Sequence, residues 1–361
     1  MKHGFTRQTS GRVAICAAAL LLGCSGRVTL AEQGPAQVGA SAGSGGDGSG
    51  SGGASAQNAP SGTAGFDDTP RGIGGFDPPE GAMPDCGRLD GTSYIAFDTD
   101  RDNFDRELYM VHPNGTGLRR LTNRDGRDQE PAFSADGKQL AFTSDRDGTL
   151  QIHLMDLATG DVRQLTHQAG GADRPALSHD GKRLAFHSGP SLYTMALDGT
   201  DEHLVATGPD DLNGYTRPGF TPDDQHLVFD RNNEIDTSLV DGSNLRYVVP
   251  DTTMLMHAPA ISSNGVDVAY DLGCYFEPGR SIWVSPITHE TPPCEGVRIT
   301  PVGQFDAEHP TWSPTGECLA YVHVDVPRAV GRITIITGAR NSVGAALTDG
   351  SSDDRNPAWS P

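Results

Sequence analysis

From Tyr94 to the C-terminus, apolar residues come in runs of three or four with polar turn residues between them, and no helical period lasts three turns. Short runs rich in β-branched and aromatic side chains, with turn signals about every eight to twelve residues, predict the strands of an all-β domain. Residues 132–166 give the clearest unit. Residues 132–134 read as strand A, Asp136-Gly137 as a tight hairpin turn, and residues 140–143 as strand B. After a turn at residues 144–148, residues 152–155 read as strand C, Thr159-Gly160 as a turn, and residues 162–166 as strand D.

This unit repeats. A Pro-x-apolar-Ser/Thr signature begins at Pro131, Pro175, Pro218, Pro259, Pro310 and Pro357, spaced 44, 43, 41, 51 and 47 residues apart. Periods of about 40 to 50 residues built from short strands indicate propeller blades. Strand B recurs at residues 94–97, 140–142, 184–186, 227–229, 268–270 and 319–321. The first strand B has no strand A before it, and the last strand A, residues 357–360, has no strand B after it. A six-bladed β-propeller of four-stranded blades, its ring closed by the C-terminal strand, accommodates both ends and leaves no open edge between them.

The run Phe133-Ser134-Ala135-Asp136-Gly137-Lys138-Gln139-Leu140-Ala141-Phe142-Thr143-Ser144-Asp145-Arg146-Asp147-Gly148, followed by Leu165-Thr166, resembles the repeat of TolB-type propellers. The resemblance extends from about residue 90 to the C-terminus and is weaker around Asp223-Asp224 and residues 274–294. It implies a ring that binds partner proteins in the periplasm. TolB-type proteins also carry an N-terminal α/β domain; here a low-complexity segment stands in its place.

That segment changes the picture of the N-terminal quarter. Lys2, Arg7 and Arg12 precede a ten-residue apolar run, residues 13–22, too short to span a bilayer and suited to a cleaved signal. Leu21-Leu22-Gly23-Cys24 resembles the lipobox of bacterial lipoproteins, which implies cleavage after residue 23 and lipid on Cys24. Ser25 after the cysteine favours the outer membrane. Residues 31–83 are rich in Gly, Ser, Ala and Pro and are expected to form a disordered tether. As a Gly/Ser coil, roughly 50 residues reach about 40 Å. The expected organisation is a lipoprotein signal peptide at 1–23, an anchored tether at 24–83 and the propeller at 84–361.

A net charge of −20 argues against nucleic-acid binding and against membrane contact other than through the lipid. Cys86, Cys274, Cys294 and Cys318 are disulfide candidates in an exported domain, and their four thiols allow three pairings. The sequence holds no Gly-x-Ser-x-Gly elbow and no His-Glu-x-x-His motif. Peptidases of the prolyl oligopeptidase type place a hydrolase domain after their propeller; none is expected here, where the repeat runs to Pro361. Asp98-Thr99-Asp100-Arg101-Asp102 and Asp145-Arg146-Asp147-Gly148 alternate carboxylates but read as turn chemistry rather than calcium loops. Trp283, Trp312 and Trp359 are expected in the core between blades, and His153 and His187 as structural histidines.

The candidate binding set precedes the recurring prolines: Glu130, Arg174, Arg217, His257, His309 and Asn356. Strand A lines the channel of a propeller, so the connections into it are expected to bring these side chains to one channel mouth. The reading is a non-catalytic, monomeric cell-envelope scaffold that binds a protein or envelope component there, with no metal or other cofactor. The alternative is a metal-dependent carbohydrate-active enzyme using His257 and His309, similar to oligogalacturonate lyase-like propellers.

Overall fold

The computed structural model describes residue 86 and residues 93–361, apart from 103–104, 208–215, 232, 250–253, 275–276, 288–295, 302–304, 326–327 and 339–343. Cys24, the signal and the tether lie outside the described residues. Every regular element among the described residues is a β-strand, and the strands form six antiparallel four-stranded sheets.

Blade 1 joins Ile95–Thr99, Glu107–Val111 and Arg119–Arg120 to the C-terminal strand Asp354–Trp359, which is its innermost member. The other blades are each continuous in sequence. Their innermost strands are Asp128–Phe133, Asp173–Leu177, Thr216–Phe220, Met254–Ile261 and Phe305–Trp312. Each innermost strand contacts the next one around the ring, and Asp354–Trp359 contacts Asp128–Phe133, which completes the circle. The closing pairs are Ile95↔Trp359, Ala96↔Ala358, Asp98↔Arg355 and Thr99↔Asp354. Beyond the ladder, Ser360 N donates to Tyr94 O at 2.8 Å and Tyr94 N donates to Ser360 Oγ at 2.8 Å. The ring is therefore held shut between its first and last strands.

The hydrophobic core is divided into six. Each cluster lies between the facing sheets of two neighbouring blades, because a strand that is apolar on both faces must cover both. Strand B shows this best: Ile95, Ala96 and Phe97 are all fully buried, as are Leu140, Ala141 and Phe142. Trp359 is buried in the cluster between blades 6 and 1, while Trp283 and Trp312 are half-buried against the clusters on either side of blade 5. The A–B turns repeat one chemistry. Ser134 Oγ donates to Asp136 Oδ1 at 2.7 Å and accepts from Gln139 N at 2.9 Å, and Ser178 with Asp180 repeats the first bond.

Of the four candidate cysteines, Cys86 and Cys318 are bonded, with Cα atoms 5.3 Å apart and a sequence separation of 232. Cys294 and the side chain of Cys274 lie outside the described residues. The bond pins the segment before the first strand to strand B of blade 6, and Thr315 Oγ1 donates to Cys86 O at 2.9 Å beside it.

Candidate functional site

In each innermost strand the ladder to strand B breaks at the recurring proline, for example between Gln129 and Ala132 and between Glu308 and Thr311. The same break occurs in the other four blades. Proline has no N–H to donate, so within a sheet it is tolerated at a bulge. The residue before it is pushed into the left-handed region in all six blades: φ is +56° at Glu130, +55° at Arg174, +48° at Arg217, +52° at Ala258, +53° at His309 and +50° at Asn356. None is glycine, so each position carries strain of order 1–2 kcal/mol. These residues and the prolines after them line one central cavity of ≈130 Å³.

Two expectations are corrected here. The pre-proline residues are not in the connections into strand A; they sit within the strand, at its bulge. His257 is also out of register by one position. Ala258 is the residue before Pro259 and lines the cavity, while His257 Nδ1 lies 3.2 Å from Asp230 Oδ2. Of the two histidines, His309 alone is part of the cavity lining. His153 and His187 are held within their blades, by Gln151 O and Asp147 and by Asp173 respectively.

In three blades the bulge leaves a backbone N–H that a side chain accepts. Glu130 N donates to Asp98 Oδ1 at 3.1 Å, Arg174 N to Glu130 Oε2 at 3.0 Å, and His309 N to Asp271 Oδ2 at 3.4 Å. Asp98 and Asp271 follow the aromatic residue of strand B in the preceding blade, a position Asp230 also holds. Sequence reasoning missed them, although Phe97-Asp98, Phe229-Asp230 and Tyr270-Asp271 repeat as aromatic-Asp pairs. Asp98 also accepts from Arg106 and from Asn356 Nδ2, and Asp271 accepts from Arg280 at 3.1 Å. Burial pushes Asp271 up to about 6 against the pull of Arg280 and His257. Burial likewise raises Glu130, opposed by Arg217 and Arg174. Arg280 and Arg355 meet at Glu308, 3.9 and 3.0 Å away.

Arg217 behaves differently from these paired groups. Blades 4 and 1 stand opposite each other, and Arg217 reaches across the cavity to donate from Nη2 to Asn356 Oδ1 at 3.2 Å. Its guanidinium is pressed toward lower pKa by burial and by Arg174. His309 is held well below its ordinary range by burial and then by Arg217, Arg355, Arg280 and Arg174, so it is neutral at pH 7. The two acidic turns serve the ring itself: Asp100 Oδ1 accepts from Asp353 N at 2.8 Å and Asp145 Oδ1 from Arg127 N at 2.6 Å. Arg101 bridges to Asp354 at 2.9 Å over the faces of Phe97 and Tyr109, and Arg146 grips Asp128 at 2.8 and 2.9 Å over Phe142.

Residues 90–240 match the family described as the TolB beta propeller domain. That stretch carries the TolB-type propeller repeat. A TolB homologue of Chlorobium luteolum is 45% identical over 56 residues, which are 16% of this chain and 13% of that protein. The Tol-Pal system protein TolB of Bordetella pertussis is 43% identical over 56 residues, 15% of this chain and 13% of its own. The matched segment thus spans about an eighth of the length of these relatives. Among solved structures, TolB from Acinetobacter baumannii superposes with a TM-score of 0.63 at 20% identity, over 75% of this chain and 67% of that one. A chain of a nidogen/laminin complex superposes with a TM-score of 0.60 at 13% identity, over 74% of this chain and 98% of its own. Those two likenesses concern the fold alone.

Proposed function

We propose that this chain is a non-catalytic binding scaffold of the cell envelope, which presents its TolB-type ring to a protein partner at the central cavity. One observation carries the reading. All six blades turn the residue before the proline out of the ladder at a cost in backbone strain and aim it at one small polar cavity. Strain repeated around a single cavity is what a preorganised recognition site requires. Relatives named as Tol-Pal system proteins support an envelope protein as the class of partner. A lipid on Cys24 and the Gly/Ser-rich tether would hold a monomeric ring within about 40 Å of the membrane, at the outer membrane by the residue after the cysteine.

The test is crosslinking in intact cells followed by purification of the full-length lipoprotein, with Arg174→Glu and Arg217→Glu compared with the parent. A partner recovered with the parent and lost from both variants is expected. Unaltered recovery removes the cavity from the binding surface. Cys24→Ser is expected to move the protein from the membrane fraction to the soluble one; retention in the membrane removes the anchor.

A further inference from the structure

Of the charged residues that line the central cavity, Arg174 and Arg217 are cationic and Glu130 alone is anionic. Glu130 is engaged by Thr143 Oγ1, by Arg174 N and, at 3.5 Å, by Arg174 Nε. Asp98 is taken by Arg106 and Asn356, Asp271 by Arg280, and Glu308 by Arg355. For Arg217, no carboxylate oxygen among the described residues lies within the 4.0 Å of an ion pair, and Asn356 Oδ1 is the one side-chain acceptor it reaches. Two nitrogens on the lining are buried without a hydrogen-bond partner: Arg174 Nε, whose 3.5 Å ion pair with Glu130 falls outside hydrogen-bond geometry, and His309 Nδ1. A buried donor left without an acceptor costs about 1–3 kcal/mol, and more when charged. An anion in the cavity would give those two nitrogens a partner and Arg217 a counter-charge.

We propose that the cavity is a receptor for one carboxylate of the partner, an acidic side chain or a chain terminus, held by Arg217 with Arg174 and His309 beside it. This rests on the protein-binding reading above and adds the chemistry of what enters. The size supports it. At ≈130 Å³ the cavity has room for about four waters and lies well below the about 300–1,000 Å³ of pockets that enclose drug-sized ligands, so it fits a side chain and not a sugar. The geometry supports it too. A guanidinium offers a planar fork that meets both oxygens of a carboxylate, and Arg217 carries its fork at the centre of the ring with donors to spare. His309, neutral among four guanidiniums, can turn an N–H toward an acceptor without adding charge. The site is local: a chain of net charge −20 repels anions at long range, so only an anion presented at close quarters by a docked partner gains the contact.

The experiment uses the full-length lipoprotein in detergent, labelled with 13C at histidine Cε1, the His309 signal being the one that His309→Gln removes. Sodium acetate, acetamide and inorganic phosphate are titrated at constant ionic strength. Acetate is expected to move the His309 signal saturably, with Kd on the order of millimolar. Acetamide, the same shape without charge, should bind at least about tenfold more weakly, and Arg217→Gln should weaken acetate by a similar factor. Arg217→Lys keeps the charge but loses the fork and should fall between. Equal response to acetate and acetamide overturns the receptor, and phosphate binding tighter than acetate overturns the carboxylate assignment. The comparison of the three probes is made on the parent protein, so it stands even if Arg217→Gln fails to fold. Partner capture separates the two layers of the argument. Capture lost in Arg217→Gln without acetate binding sinks the receptor alone, whereas saturable acetate binding with undiminished capture sinks the protein-binding reading of the cavity.

Discussion

Deleting residues 357–361 tests ring closure, and its cost can be worked from the contacts it removes. The deletion takes Trp359 out of the cluster between blades 6 and 1, where it is 7% exposed and packs with Ile95, Phe97 and Cys318. Truncating a buried tryptophan costs about 3–5 kcal/mol. It also removes the two 2.8 Å bonds between Ser360 and Tyr94, worth about 1 kcal/mol each, and the pairing of Ile95 and Ala96. The total, about 5–8 kcal/mol, is comparable to the whole stability of an ordinary domain, about 5–15 kcal/mol. At roughly 2 °C per kcal/mol for a ring of this size, the melting temperature should fall by at least about 10 °C. The first strand would also become an open edge, so the truncated protein should self-associate. Circular dichroism during heating gives the midpoint, and size-exclusion chromatography gives the association state. A midpoint within about 2 °C of the parent, with no association, would falsify closure by this strand as a source of stability.

Other perturbations probe separate parts of the ring. Replacing Cys86 and Cys318 together by alanine should cost about 3–5 kcal/mol in chemical denaturation, since the bond closes a loop of 232 residues; a loss under 1 kcal/mol would show that the strand alone shuts the ring. Asp236 is fully buried beside Arg231, and burial raises it to about 7. The unfolded chain loses this proton near pH 4 and the folded one near pH 7, so stability falls as pH rises across that window and is level above it. Urea unfolding should show the parent losing about 3 kcal/mol relative to Asp236→Asn between pH 4.5 and 7.5; a constant difference refutes the buried-acid reading. Ala258→Gly should stabilise the ring slightly, by at most about 1 kcal/mol, because relief of the left-handed strain exceeds the added chain entropy. Gly242→Ala should do the reverse by several kcal/mol, since φ there is +82° and a Cβ would fall 2.1 Å from Val205 O. Equal melting temperatures for those two variants would refute the backbone argument at both sites.

Much of the architecture is written in local pattern. A strand buried on both faces is apolar at every position, as at residues 95–97 and 140–142, and the turns between strands demand Ser, Asp and Gly at fixed offsets. Those constraints act within a few residues, so they recur with every blade and can be counted. The count gives six, and the mismatch between the first strand B and the last strand A requires the C-terminal strand to close the ring. Five of the six cavity residues were legible for the same reason, because a proline within strand A marks the bulge that exposes its neighbour. The sixth is Ala258 and not His257, because the bulge exposes the residue directly before Pro259.

What only the tertiary structure decided are the pairings between blades. Arg217 meets Asn356 across the ring, Asp98 of blade 1 receives the backbone of blade 2, and Cys86 joins Cys318 over 232 residues. The repeat makes successive blades alike but says nothing about which charge faces which, because that depends on the radius and closure of the whole ring. The charge balance of the central cavity belongs to this class. Each innermost strand contributes its pre-proline residue and the proline after it, and the surplus of arginine over carboxylate among them exists only when all six are brought together.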